Sequence, residues 1–216
     1  MEKFAEFYKS FEESVLLANR HIDEIELIAV SKKQPKSVVE QLIQYGHFSY
    51  GENQLQELES KWSSLKEAYS QTRLHFIGSI QSRKIRSIFQ SCDVIHSIDR
   101  IKIVREIKKI EKETSQQKEY FIQINTGNEP QKSGVPLDNA DSFIDECFQN
   151  QLNIKGLMCI PPAGDEPSYH FKTLKNIADN NNLKCLSMGM SNDYKTAIQC
   201  GATHIRIGTL IFGERS

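Results

Sequence analysis

Residues 186–213 read LSMGMSNDYKTAIQCGATHIRIGTLIFG, and the fold is decided there. Two short apolar runs, CLSM and HIRI, each stop at a glycine (Gly189, Gly208), and a hydroxyl residue follows closely (Ser191, Thr209). The pattern is strand, tight turn and helix start, twice over. Glycine lets the backbone approach a ligand closely, the hydroxyl can cap the next helix, and the first amides of that helix point outward with partial positive charge. Such a turn attracts phosphate. In a (β/α)8 barrel the loops after the last two strands are a common phosphate site.

Working outward, the same alternation runs through the whole chain. Strand-like stretches occur at residues 25–31 (IELIAVS), 47–51, 73–78, 92–98, 119–125 (EYFIQIN), 153–160, 184–188 and 204–207. Helical patterns lie between them, such as Leu55, Leu58, Trp62 and Leu65, or Ile101, Val104, Ile107 and Ile110. Uninterrupted strand–helix alternation implies a parallel sheet covered by helices with right-handed crossovers. An open doubly wound sheet also fits, but about eight units fill the chain, which favours a closed α/β TIM barrel. Phe4, Phe7, Tyr8, Phe11, Val15 and Leu16 predict an amphipathic helix over residues 3–20 that covers part of the core. No linker or low-complexity segment divides residues 1–216, so a single barrel domain is expected.

Composition narrows the function classes. A formal net charge of −1 gives no electrostatic reason to expect nucleic acid or an anionic membrane. No apolar run approaches bilayer length, and MEKFAEFYKSFEES lacks a cationic segment followed by an apolar core, so a cytoplasmic protein is expected. The five cysteines are odd in number and form no CxxC pair, which suits reduced, buried thiols. The six histidines show neither HxH nor HExxH spacing, and no metal site is expected. Residues 127–133 loosely suggest a nucleotide loop, but Gln131 replaces the glycine before Lys132 and Pro130 removes a backbone donor.

In a parallel α/β fold the chemistry sits at the C-terminal ends of the strands. There the first strand delivers Lys32, the second Gly51, Glu52 and Asn53, the third Gly78 and Gln81, and the fourth His96, Ser97 and Asp99. The last two strands give the phosphate cradle and Arg206. Lys32 is either a solvated lysine or a nucleophile for a carbonyl compound. A lysine with the ordinary pKa of about 10.4 is protonated at neutral pH; placement at the barrel mouth near Arg206 would lower it through burial and like-charge repulsion. Lys32 and Lys33 point opposite ways in a strand, and the alternation from Ile28 and Val30 favours Lys32. Asn53 reads equally as a ligand contact or as an N-cap boxed by Gln56. Ser191 reads as the cap of the helix holding Tyr194 and Ile198. Arg206, alone on an apolar strand, calls for a partner and could belong to a structural ion pair.

These motifs stand together in a recognisable order. AVSK (29–32), YGENQLQE (50–57), HFIG with Gln81, HSIDR (96–100), KSG (132–134), GLMCIPP (156–162), LSMGMSND (186–193) and RIGTLIFGER (206–215) resemble the pyridoxal phosphate homeostasis proteins over essentially the whole chain. That resemblance implies a barrel like the N-terminal domain of alanine racemase, with pyridoxal 5'-phosphate (PLP) held on the AVSK lysine, Lys32. It places Ser191, Gly208 and Thr209 at the phosphate, Arg206 at the pyridine nitrogen and Asn53 near the ring. Ser79 and Arg83 depart from the histidine and asparagine usual after HFIG.

The resemblance also implies a binding protein. An enzyme that uses the ring as an electron sink protonates the pyridine nitrogen, and a permanently charged Arg206 disfavours that. A racemase also needs a second acid/base, which alanine racemase takes from a C-terminal β domain. The expectation is therefore a cytoplasmic PLP carrier or reservoir without catalysis of its own, with PLP-dependent enzymes as clients and a monomeric or weakly dimeric state. Two alternatives stay open: a small PLP-dependent racemase-like enzyme, and a barrel that binds another phosphate ester and uses Lys32 only as a charge.

Overall fold

Along the first strand Glu26, Ile28 and Val30 alternate with Leu27 and Ala29, and the two sets face different surroundings. Leu27 and Ala29 belong to one large apolar cluster together with Tyr50, Leu74, Ile95, Ile122 and Ile205 from other strands and with buried faces of the helices, such as Leu42, Leu65 and Ile107. A second, small cluster of Val94, Phe121 and Met158 lies apart from it. That division, one side of each strand toward helices and one toward the other strands, is the arrangement of a barrel.

The computed structural model describes residues 1–213; Glu214 and Arg215, the end of the RIGTLIFGER motif, and Ser216 lie outside the described residues. The described residues form nine strands: β1 (Glu26–Val30), β2 (Ser49–Glu52), β3 (Arg73–Phe76), β4 (Val94–Ile98), β5 (Glu119–Asn125), β6 (Val135–Pro136), β7 (Ile154–Met158), β8 (Cys185–Ser187) and β9 (His204–Ile207). They are ordered β4-β3-β2-β1-β9-β8-β7-β5, and a further β4–β5 pairing closes the ring. Every pairing is parallel. All eight strand-like stretches of the sequence are barrel strands, and the closed ring excludes the open sheet. The two-residue β6 pairs only with β5 and stands outside the ring.

The N-terminal helix (Glu2–Leu17) buries Phe4, Phe7, Phe11 and Val15. Leu16, expected on this stripe, is 75% exposed. At 100° per residue it lies well off the line from Phe4 through Val15, so the apolar face is narrower than the composition suggests. The helix seats against the chain's end: the Phe7 and Tyr194 rings meet edge-on at 5.4 Å, and Ser10 Oγ lies 3.0 Å from the Tyr194 hydroxyl. Each fully buried phenylalanine here contributes roughly 1.5–3 kcal/mol. Among the described residues no helix is long and apolar enough to cross a membrane.

All five cysteines are unpaired, and Cys92, Cys147 and Cys159 are buried. Burial pushes each of these three thiols up to about 12. A thiol at that pKa has almost no nucleophilic thiolate at pH 8. Native protein treated with iodoacetamide at pH 8 is expected to leave these three unmodified, whereas denatured protein alkylates all five. Rapid native labelling of any of the three, read by peptide mass, would contradict its burial.

Candidate functional site at the barrel mouth

β1 ends at Val30, and Lys32 follows two residues on, in the turn that leaves the strand. Lys32 is half-buried, and it borders a small cavity together with Val30, Gln34, Gly208, Thr209 and Gly213. Lys33 is exposed and turns away through a left-handed backbone, φ 60°, which its N–H stabilises by donating to Glu57 Oε1 at 2.9 Å. Of the two lysines, only Lys32 borders the cavity.

Two residues before Gly208, Arg206 is buried among the strands. Its Nη1 donates to Ser187 Oγ at 2.8 Å and its Nη2 to the Cys159 carbonyl at 2.9 Å. Among the described residues no carboxylate pairs with it, so the structural ion pair considered from the sequence is not seen there. Burial pushes its pKa down, yet an arginine retains its charge in proteins. A buried guanidinium with two of its five N–H groups spent on neutral acceptors is an electropositive group facing a demand for further acceptors.

The turns around it are shaped by glycine in different ways. Gly189 has φ +93°, and a Cβ there would stand 2.5 Å from the Ala197 Cβ, so both conformation and space require glycine. Gly208 is required by neither: at φ −116° a Cβ would only touch Val30, 3.4 Å from its carbonyl oxygen. Its missing side chain leaves room beside Lys32. Thr209 opens the short helix Thr209–Phe212 with Gly208 at the cap position, and its first-turn amide has no intrahelical acceptor.

Two capping assignments read from the sequence are corrected. Asp193, not Ser191, occupies the N-cap of helix Tyr194–Gln199, and its Oδ1 accepts the Met190 N–H at 2.6 Å. Ser191 sits half-buried in the preceding turn, where its amide and that of Asn192 donate to no described residue. Asn53 is not an N-cap either, because the next helix begins at Leu55 with Gln54 at the cap position and no capping side chain. Asn53 instead lines a separate cleft with Ser79 and Gln81, and its carbonyl would lie 2.0 Å from a Cβ on Gly78. The structure thus brings Lys32, Gly208 and Thr209 to one cavity with Arg206 on the adjoining strand, and leaves Asn53 outside it. In the departing loop, Ser79 Oγ meets Ser133 Oγ at 2.8 Å, tying it to the KSG segment.

What sequence reading missed is the support beneath this mouth. Glu52 is fully buried at the end of β2; its Oε1 accepts from Ser31 Oγ at 2.7 Å and Trp62 Nε1 at 3.0 Å and pairs with Lys61 Nζ at 2.8 Å. Lys61 Nζ also donates to the Ser31 carbonyl at 2.6 Å. Both ends of Ser31, the residue just before Lys32, are thereby held. Lys61 and Trp62 reach inward from a π-helical turn, Leu58–Trp62, an irregularity frequent at functional sites. His96, expected at the mouth, lies inside the barrel instead, bonded to His75 and Ser187.

Comparison with known proteins places this geometry in context. The family described as alanine racemase, N-terminal domain, matches residues 9–216. The chain is 35% identical over 199 residues to the pyridoxal phosphate homeostasis protein of Aquifex aeolicus, covering 88% of this chain and 86% of that one. It is 37% identical to the protein of that name from Vibrio alginolyticus over 206 residues, covering 89% and 88%. Among solved structures, PipY of Synechococcus elongatus without PLP superposes with a TM-score of 0.84 at 30% identity over 93% of this chain and 99% of PipY. PipY with PLP bound gives 0.81 at 29% identity over the same shares. A Clostridium difficile alanine racemase shares the fold, with a TM-score of 0.71 at 11% identity, over 94% of this chain and 55% of the enzyme. With a closed barrel, a half-buried lysine after β1, a buried arginine on β9 and glycine turns after β8 and β9, the chain belongs to the pyridoxal phosphate homeostasis proteins within the alanine racemase N-terminal domain family.

Proposed function

We propose that the chain binds PLP at the C-terminal mouth of the barrel, holds it through a Schiff base on Lys32, and serves as a carrier or reservoir in PLP homeostasis without catalysis of its own. The observation that carries the reading is Arg206: a buried guanidinium, unpaired with any carboxylate among the described residues, on the strand that leads directly into Gly208 and Thr209, which border the Lys32 cavity. That donor set suits a ligand with an uncharged ring acceptor. The open amides at Ser191 and Asn192, with the first turn at Gly208 and Thr209, suit a phosphate. Asn53, on the neighbouring loop, stands where it would flank the ligand only from outside the Lys32 cavity.

When bound, PLP supplies a reactive aldehyde, and the chain's residues do the rest. Lys32 offers the amine; the Glu52–Lys61–Ser31 bonds fix the backbone from which it projects. Arg206 would hold the ring side of the group and, being permanently charged, would oppose proton uptake by an acceptor next to it. Such a site holds its ligand and does not turn it into a strong electron sink. Clients of the carrier would be PLP-dependent enzymes, reached through release of the aldehyde to another amine.

The test is the near-ultraviolet and visible spectrum of purified protein with PLP, for wild type and Lys32→Ala, followed by borohydride reduction and peptide mapping. The expected result is an imine band in the wild type, its complete loss in Lys32→Ala, a reduced adduct on Lys32 alone, and no turnover of L-alanine. An adduct on Lys33 or scattered over surface lysines would defeat the assignment, and L-alanine racemisation by the pure protein would replace the carrier with an enzyme.

A further inference from the structure

Five side chains from five different strands form one continuous hydrogen-bonded line, which only the barrel interior permits. Glu26 Oε1 lies 2.9 Å from His75 Nε2, His75 Nδ1 lies 2.9 Å from His96 Nε2, and His96 Nδ1 lies 2.8 Å from Ser187 Oγ. Ser187 Oγ in turn receives Arg206 Nη1 at 2.8 Å. His75, His96 and Ser187 are fully buried, and only the Glu26 end is partly open.

The two ends dictate the direction of every bond between them. Arginine can only donate and an ionised carboxylate can only accept. Burial works against the charge of Glu26, but bonds from His204 and His75 outweigh it and hold the carboxyl well below the usual carboxylate range. His75 therefore presents Nε2–H to Glu26 and a bare Nδ1 to His96. His96 repeats the choice, Nε2–H toward His75 and a bare Nδ1 toward Ser187. The Ser187 hydroxyl must then point at His96, which leaves its oxygen lone pairs for Arg206. Each member donates toward Glu26, and no member is left with two donors or two acceptors facing each other.

The surroundings preserve this arrangement. His204 Nε2 meets Glu26 Oε2 at 3.1 Å, Ser49 donates to Oε1 at 2.7 Å, and Arg73 Nε stands 3.8 Å away. His96 stacks flat on Phe121, with centroids 4.3 Å apart. Both histidines in the line are pushed toward the neutral form, first by burial and then by neighbouring positive charge from Arg206, His204 or Arg73.

We propose that Glu26, His75 and His96 are positioning residues for the ligand site: through Ser187 they fix how the Arg206 guanidinium is held, and Glu26, at the opposite end of the barrel, is its remote counter-charge. The inference rests on the PLP reading for what Arg206 faces, but the direction of the chain is a property of the protein alone. One consequence is that a single additional proton on His75 would reverse the line. His75 would donate at both nitrogens, His96 would turn Nδ1–H toward Ser187, and the Ser187 hydroxyl would be left to accept from both sides.

The experiment is nitrogen-15 NMR of histidine-labelled full-length protein, with and without PLP, on wild type, Ser187→Ala and Glu26→Gln. The wild type without ligand is expected to show His75 and His96 as neutral Nε2–H tautomers at pH 7. Glu26→Gln is expected to move the His96 signals although His75 intervenes, and both variants to weaken PLP binding about tenfold while the Lys32 imine still forms. An Nδ1–H tautomer at His96 in the wild type, or a Glu26→Gln variant whose His96 signals and PLP affinity are unchanged, would overturn the proposal. Should Glu26→Gln fail to fold, the wild-type tautomers and Ser187→Ala still decide it. Wild-type protein that shows both tautomers but takes up no PLP would overturn the ligand reading and the positioning role with it, and a wrong tautomer in a protein that binds PLP would overturn the chain alone.

Discussion

Lys61→Met is expected to lower the unfolding free energy by about 3–5 kcal/mol, measured by urea denaturation at pH 7. Lys61 and Glu52 are 6% and 0% exposed at the side chain, so their separation of 2.8 Å is that of an ion pair almost free of water. Removing the cation leaves the Glu52 carboxylate buried with only Ser31 and Trp62 donating to Oε1, while Oε2 already has no hydrogen-bond partner. The methionine fills the space but cannot replace the bond to the Ser31 carbonyl. The double variant Glu52→Gln/Lys61→Met should recover much of the loss, because the cost lies in the orphaned charge more than in the missing attraction. It should not restore full PLP affinity, since the Ser31 carbonyl just before Lys32 would still lack the bond from Lys61. A loss under 1 kcal/mol in the single variant would show that the pair is not isolated from solvent.

The difference between what the chain announces and what it conceals follows from range. Strand–helix alternation is local, and it yielded the barrel and its eight strands. Lys32 borders the mouth cavity and Lys33 does not, but both lie in a turn beyond the end of β1, so the two-residue period of that strand does not itself carry the difference. Caps depend on one or two residues at an element boundary, and there the reading failed: Gly189 and Met190 displace the helix start so that Asp193 takes the position assigned to Ser191, and the helix after β2 begins two residues beyond Asn53. Polar groups inside the barrel were the least legible. Glu26, His75, His96 and Ser187 come from strands up to 161 residues apart in the chain, and no window of sequence contains two of them as neighbours. A histidine on an apolar strand reads as a possible ligand at the mouth until closure of the barrel supplies its partners.

Those buried histidines also set how the protein responds to acid. Burial is the chief cause that pushes His75 and His96 down, His96 the further of the two, with Glu26 opposing the shift at His75. In the unfolded chain both titrate near 6.5. A group whose folded pKa is depressed takes up its proton first in the unfolded state, so the native state loses stability as pH falls below about 6.5 and continues to lose it until the folded pKa is reached. Each such histidine contributes at most about 1.4 kcal/mol per pH unit, and the two together about 2.7. Glu26, held ionised by His204 and His75, adds loss in the same direction once the unfolded carboxyl begins to protonate at lower pH. Urea denaturation between pH 8 and 5 is therefore expected to show a stability that is nearly flat above pH 7 and falls steeply below 6. His96→Gln, which keeps a donor and an acceptor but cannot titrate, should reduce the slope between pH 6 and 5 by up to about 1.4 kcal/mol per pH unit, leaving the shares of His75 and of the likewise burial-lowered His47. A wild-type slope near zero across that window would mean that His75 and His96 are protonated in the native barrel. In that case His75 Nδ1 and His96 Nε2 would both carry protons across their 2.9 Å separation, the directed line from Glu26 to Arg206 would be broken there, and Ser187 could no longer be directed by a bare His96 nitrogen.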